Sequence, residues 1–114
     1  MINTLRVSKE FQKDAKNLLK KFHTLKASID TLISDLIQDP YLGEAYGNKI
    51  YKIRLSDKSK GGGKSGGFRV MYYHLNITKD GIEILLMTIF DKSNKATITK
   101  TEALKKLNKI LEEM

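Results

Sequence analysis

Residues 64–73 read KSGGFRVMYY, and they lead from a glycine-rich loop into a strand of aromatic and β-branched side chains. Five of the eight glycines lie between positions 58 and 67, which predicts a loop. Before this loop, apolar and basic residues alternate over residues 51–55, and after it residues 82–90 form a second apolar strand. The three segments predict a small antiparallel sheet.

Amphipathic helices flank the predicted sheet. Ser8 is a suitable N-cap for a first helix, and a second helix ends at Asp39-Pro40, because the residue before a proline is pushed out of helical geometry. Residues 99–102, TKTE, form a capping box before a third helix. The predicted apolar stripe of that third helix is Leu104, Leu107, Leu111 and Met114.

These elements predict a single α+β domain over residues 1–114. A short strand over residues 2–7 comes first, followed by an N-terminal helical hairpin, the small antiparallel sheet and a C-terminal helix. The predicted order is β-α-α-β-β-β-α.

The composition excludes several classes of protein. The chain has no cysteine and two histidines, so we expect no disulfide, no thiol nucleophile, no metal site and no cofactor. The longest apolar run, residues 84–89, is far shorter than the ~20 residues that span a bilayer. Residues 1–10 lack the apolar core of a signal peptide, so we expect a cytoplasmic protein without a membrane partner.

The positive charge is concentrated in one segment. The chain has a formal net charge of +8, and residues 49–69 contain seven basic residues against one acid, Asp57. A concentration of this kind favours a polyanionic partner, most often a nucleic acid.

Residues 61–65, GGGKS, do not form a nucleotide-binding P-loop. The motif requires a glycine where Lys58 stands, and it requires a helix where a strand is predicted. Lys58, Lys60 and Lys64 instead place three positive charges on a glycine-rich loop, which suits contact with a phosphate backbone; ordinary solvated lysines are the alternative.

Further basic residues lie on the predicted strands. Strand alternation places Lys52 and Arg54 on the face opposite Tyr51 and Ile53, away from the helical hairpin. Arg69 begins the next strand and should face the open side of the sheet, where an arginine is suited to bidentate phosphate binding.

The two histidines do not suggest a catalytic centre. We interpret His74, within an alternating strand, as a packed or hydrogen-bonded histidine, with catalysis as the less favoured alternative. His23 lies at the junction between two helices. Residues 90–95, FDKSNK, follow the last strand, and their spacing alone favours a plain polar turn over a site.

Together, these residues resemble the RelE/ParE superfamily of bacterial type II toxins, and most closely its HigB-like branch. The resemblance rests on residues 64–73, on the apolar strand EILLMTIF at residues 83–90, and on Lys92-Ser93 before a capped helix. It extends over nearly the whole chain, and residues 64–73 are its most specific part.

The resemblance implies a RelE-like fold and a ribosome-dependent mRNA endoribonuclease. It implies a monomeric toxin that a cognate antitoxin neutralises within a hetero-oligomeric complex, and the ribosome and mRNA as further partners. Carried over by position, the working residues are Lys64, Arg69 and Lys92, with support from Arg54 and Lys60.

The chain departs from the family pattern at the end of its last strand. Many RelE-type toxins have a tyrosine there, whereas this chain has Phe90, which can stack on a base but has no hydroxyl. Asp91 is a candidate for the general base or for orienting Lys92. The ParE side of the superfamily poisons DNA gyrase without cutting RNA, so a gyrase poison and a non-toxic RNA-binding module remain alternatives.

Overall fold

A computed structural model of the chain describes residues 2–60, 67–92 and 97–114. Within these ranges the elements, in chain order, are β1 (Thr4–Val7), α1 (Lys9–Leu19), α2 (Leu25–Gln38), β2 (Glu44–Ala45), β3 (Ile50–Leu55), β4 (Phe68–Thr78), β5 (Gly81–Asp91) and α3 (Lys100–Glu112). A short 3₁₀ turn, Lys58–Lys60, follows β3.

The five strands form one mixed sheet in the order β1-β5-β4-β3-β2. The prediction of an antiparallel sheet is correct for β2 to β5 but wrong for β1, which pairs in parallel with β5. The α1–α2 hairpin supplies the long connection that lets β1 lie beside a strand of the same direction. Gly81 permits the close approach of the two segments, because a Cβ atom at this position would lie 1.8 Å from the carbonyl oxygen of Ile2.

The predicted order has no further strand between the helical hairpin and the strand at residues 51–55, but a short strand, β2, lies there. It pairs Glu44 with Lys52 and Ala45 with Tyr51. Gly43 makes this pairing possible: its φ is +91°, and a Cβ atom there would lie 2.4 Å from the Lys52 carbonyl oxygen. The observed order is therefore β-α-α-β-β-β-β-α.

The sheet is buried on both faces. The α1–α2 hairpin covers one face with a core that includes Phe11, Leu32 and Leu36, packed on Phe68 and Leu86. On the other face, α3 packs against Met71, Leu85 and Met87.

The predicted stripe of α3 is wrong by part of a turn. Ala103, Leu107 and Ile110 are the buried residues of this helix, whereas Leu104 and Met114 are exposed. Both sets have helical spacing, and contact with the sheet selects the one that contains the small residue Ala103.

The predicted helix ends are confirmed. The Ser8 hydroxyl accepts a hydrogen bond from the Phe11 backbone N–H at 3.0 Å, and Thr99 and Glu102 form both hydrogen bonds of the capping box. The helix α2 ends at Gln38, just before Asp39-Pro40. In the described part of the chain, no helix is long and apolar enough to cross a membrane.

Candidate functional site

A cationic pocket of about 400 Å³ lies where β2 meets β3 and β4. We define the cationic pocket by its lining residues, which are Gly43, Glu44, Lys52, Ile53, Arg54, Arg69 and Lys92. Four of these residues carry a positive charge. The pocket therefore brings together four of the residues that the sequence singled out.

Sheet register and strand alternation explain why Lys52, Arg54 and Arg69 lie on one face of the sheet. Arg54 on β3 lies directly opposite Arg69 on β4, and Arg69 lies opposite Phe90 on β5. Cross-strand partners point to the same face of a sheet. Tyr51 and Ile53 pack with the hairpin-side core, so the prediction that Lys52 and Arg54 occupy the opposite face is confirmed.

Arg69 is buried, which corrects the expectation of an open arginine at the start of a strand. Its side chain is 6% exposed because β4 has strands on both sides. Its Nη1 donates a hydrogen bond to the Phe68 carbonyl oxygen at 3.2 Å. Burial, together with the positive charge of Arg54, lowers the pKa of the guanidinium, which nevertheless remains protonated at neutral pH.

Lys92 reaches the cationic pocket from just beyond β5, which ends at Asp91. The Lys92 backbone N–H donates a hydrogen bond to the Gly67 carbonyl oxygen at 3.1 Å. This bond extends the β4–β5 pairing by one position and fixes where Lys92 leaves the sheet. Lys92 and Arg69 therefore line the same pocket although the strand has ended.

Asp91 and Phe90 lie next to the pocket without lining it. Asp91 is buried and pairs with Phe68, whose ring packs on Phe22 of the helical hairpin. Asp91 therefore belongs to the hairpin side of the sheet, on the face opposite Arg69. Phe90 shares the face of Arg69 and is half-buried against the α3 core.

The structure describes only two of the three lysines that were predicted to lie on the glycine-rich loop. Lys58 is exposed in the 3₁₀ turn and is not among the described residues that line the pocket. The backbone of Lys60 belongs to the same turn. Lys64 lies outside the described residues, so its predicted role stays a prediction.

Asp57, the one acid of the basic segment, anchors the start of this loop to α2. Its carboxylate accepts hydrogen bonds from the Thr24 hydroxyl at 2.6 Å and from the Ser28 hydroxyl at 2.5 Å, and from both the backbone N–H and the hydroxyl of Ser59. Burial alone would raise the pKa of Asp57, but the hydrogen bonds from Ser28, Ser59 and Thr24 outweigh it and lower the pKa to about 2.

His74 has a packing role, as predicted. It is 2% exposed, and its Nε2 lies 2.6 Å from the Pro40 carbonyl oxygen. The Tyr72 hydroxyl donates to the Leu42 carbonyl oxygen, and burial raises the pKa of this hydroxyl, so it remains a donor. These two bonds hold the segment that leads into Gly43. His23 is exposed in the link between α1 and α2.

Glu44 is the pocket residue that sequence reasoning missed. It is the only carboxylate among the described residues that line the cationic pocket, and it faces Lys52 across the β2–β3 pair. The one sequence signal was the pair of glycines at 43 and 47, which gives a tight turn but does not reveal what the turn approaches. No group of three acidic or histidine side chains suited to a metal ion occurs in residues 2–60, 67–92 or 97–114.

This arrangement can hold a phosphodiester and accept a proton beside it. Two arginines and two lysines supply charge-assisted hydrogen bonds to phosphate oxygens, and one carboxylate supplies an acceptor.

Comparison with known proteins shows the fold. No family model matches the sequence, and no curated protein matches it. Among solved structures, the chain is similar to a double arginine-to-alanine mutant of the Escherichia coli toxin RelE in the free state. The TM-score is 0.59 at 17% sequence identity, over 94% of this chain and 99% of that one. The chain therefore has a RelE-like fold.

Proposed function

We propose that this protein is the toxin of a type II toxin–antitoxin system and acts as a ribosome-dependent mRNA endoribonuclease. The observation that carries the proposal is the cationic pocket, which four positive side chains and one carboxylate line on a RelE-like fold. As a partner we propose a cognate antitoxin, which holds the monomeric toxin in a hetero-oligomeric complex in the cytoplasm.

The chemistry needs no metal, because RNA carries its own nucleophile. The ribose 2′-hydroxyl attacks the adjacent phosphorus, the 2′-O–P bond forms, and the P–O5′ bond breaks to leave a cyclic phosphate and a 5′-hydroxyl. In this proposal Arg54 and Arg69 hold the phosphate oxygens and stabilise the charge of the transition state. Glu44 takes the proton of the 2′-hydroxyl, and Lys92 gives a proton to the departing O5′.

The remaining candidates serve binding in this proposal. Lys52 lies in the pocket beside the arginines, with its Nζ 4.7 Å from the centroid of the Tyr46 ring. Lys58, Lys60 and Lys64 follow the RNA backbone, where contacts give affinity but no sequence information. Phe90 stacks on a base, and Asp91 supports the turn that carries Lys92.

Inducing the protein in cells and mapping mRNA 5′ ends within minutes tests this function. We expect new ends inside translated codons, and we expect none from a Lys92→Ala variant. Lys26→Ala is the matched control, because Lys26 pairs with Asp30 on the exposed side of α2, away from the pocket. DNA damage with intact mRNA would instead identify a gyrase poison, and normal growth with intact mRNA would contradict a toxin.

A further inference from the structure

A second groove adjoins the cationic pocket. It lies between α2 and β3, has a volume of about 260 Å³, and is lined by the hydroxyl groups of Thr31 and Ser56, the carboxylate of Asp35, and apolar side chains that include Leu32. We call it the α2–β3 groove. The groove is smaller than the pockets that enclose drug-sized ligands, so it suits one flat ring system.

The α2–β3 groove lies on the hairpin side of the sheet and meets the cationic pocket at the outer edge of β3. Ile53 and Arg54 line both cavities. The short strand β2 pairs with β3 at Tyr51 and Lys52, and Gly43 lies against Ile53, so within the described chain no strand covers the outer edge of β3 from Arg54 onward. A chain held in the pocket by a phosphate can therefore pass over this edge and place its neighbouring group in the groove.

The two cavities differ in charge. The pocket has four positive side chains, whereas the α2–β3 groove has Arg54 at its shared end, Asp35, and otherwise uncharged lining. A lining that combines apolar side chains with uncharged hydrogen-bonding groups suits a nucleobase better than a phosphate, because a base is uncharged and is recognised by its edge.

Asp35 supplies that edge with an acceptor and no donor. The side chain is exposed on α2, and no residue of the described chain donates a hydrogen bond to its carboxylate. An ionised carboxylate accepts hydrogen bonds from the exocyclic amino groups of adenine, cytosine and guanine. Uracil has no amino group, and the one donor of its Watson–Crick edge, N3–H, lies between two carbonyl oxygens that a carboxylate repels.

We propose that the α2–β3 groove binds the base next to the reacting phosphate, and that Asp35 selects a base with an exocyclic amino group there. This inference rests on the proposed function, because it assigns to that site the part of the substrate that determines sequence preference. Asp35 is a specificity-determining residue in this scheme and takes no part in the proton transfers.

Sequencing the ends of cleaved mRNA tests the inference. For the wild type we expect uracil to be depleted at one position beside the cut. Asp35→Asn adds an amide donor, so uracil at that position should rise by about tenfold, the discrimination that one charge-assisted hydrogen bond supplies. Asp30→Asn, an exposed change on the same helix outside the groove, should leave the profile unchanged.

A second pair of variants tests the groove without changing the acceptor. Thr31→Trp fills the groove and should abolish base preference at that one position while cleavage continues. Ser34→Trp places the same ring on an exposed position of α2 that does not line the groove, and it should keep the wild-type preference.

The outcomes separate this inference from the proposed function. If the wild type cuts mRNA and the Asp35→Asn and Thr31→Trp profiles equal the wild-type profile, the groove does not read a base. If these variants weaken antitoxin binding while the profile stays unchanged, the groove binds a peptide and the inference is wrong. If the wild type cuts no mRNA, the proposed function fails and the inference fails with it.

Discussion

Arg54 on β3 and Arg69 on β4 are direct cross-strand partners, so two guanidinium groups occupy neighbouring positions on one face of the sheet. Like charges in this arrangement destabilise a sheet. Burial is the main reason that the pKa of Arg69 is lowered, and the positive charge of Arg54 lowers it further. The pair is therefore better suited to binding an anion than to stabilising the fold.

Replacing Arg54 by glutamine should separate stability from function. We expect Arg54→Gln to raise the free energy of unfolding by roughly 0.2–1 kcal/mol, the range for a cross-strand pair. The same change should weaken RNA binding and reduce its dependence on salt by about 0.7 in the log–log slope, as expected for one lost phosphate contact. Urea denaturation and binding to single-stranded RNA at several salt concentrations measure the two effects.

Arg6→Gln is the matched control for this experiment. Arg6 forms an ion pair with Glu83 at 3.0 Å, far from the pocket. Its replacement should slightly lower stability and leave the salt slope unchanged. A fall in stability for Arg54→Gln would show that the arginine pair holds the sheet together.

Lys92 should act on the rate of cleavage more than on binding. Lys92→Ala removes one of 21 basic residues, so overall attraction to RNA changes little. The rate should fall by about 10²–10³, the effect of losing a preorganised charge at the reacting group. Lys92→Arg keeps the charge but cannot readily release a proton. Single-turnover cleavage on ribosomes should therefore show Lys92→Arg nearly as inactive as Lys92→Ala, and near wild-type activity in Lys92→Arg would limit Lys92 to stabilising charge.

Glu44 should behave as a proton acceptor. Glu44→Gln keeps the size of the side chain but removes its basicity, so we expect the cleavage rate to fall by about 10²–10⁴. Single-turnover cleavage on ribosomes measures this rate. Glu113→Gln, an exposed change at the end of α3, should leave the rate unchanged. A wild-type rate in Glu44→Gln would assign the proton acceptor elsewhere.

Asp57 should make stability sensitive to acid. Its pKa is lowered from 3.8 to about 2 in the fold, so the ionised carboxylate stabilises the protein above pH 3.8. That contribution, of about 2 kcal/mol, is lost as the pH falls through 2. Asp57→Asn should therefore be clearly less stable than the wild type at pH 7. The denaturation midpoints of the variant and the wild type should converge as the pH approaches 2. If the difference in stability between the wild type and Asp57→Asn does not change with pH, the negative charge of Asp57 does not stabilise the fold.

Asp14 should give the opposite dependence on pH. Burial raises its pKa to about 6, the Glu10 carboxyl adds to the shift, and the hydrogen bond from the Thr88 hydroxyl at 2.6 Å opposes it. Because the folded state favours the protonated form, stability should fall as the pH rises from about 4 through 6. Asp14→Asn should be more stable than wild type at pH 8, and the gain should vanish at pH 4. An equal gain in stability for Asp14→Asn at pH 8 and at pH 4 would contradict a raised pKa for Asp14.

The sequence predicts the strands and helices well because periodicity records which side chains are buried. It predicts the hairpin, the caps at Ser8 and Thr99, and the face occupied by Lys52 and Arg54. Periodicity does not record which strands are neighbours, so the parallel placement of β1 was not predicted.

The site was predicted in part for the same reason. Arg54, Arg69 and Lys92 carry a local charge pattern that can be read along the chain. Glu44 enters the pocket only because Gly43 lets β2 lie against β3, and the burial of Arg69 follows from the strands on both sides of β4. Both are long-range effects that a local pattern does not contain.

The pairing of β1 with β5 also governs when the protein can fold. Thr4 lies beside Glu83, so the sheet joins segments separated by most of the chain. Contacts between such distant segments slow folding, because a long loop must close before they form. During synthesis the first strand must wait until β5 has left the ribosomal exit tunnel. The pocket needs Lys92 as well, so we expect folding and assembly of the site to wait until β5 and Lys92 have been synthesised, and a nascent copy to be inert until then.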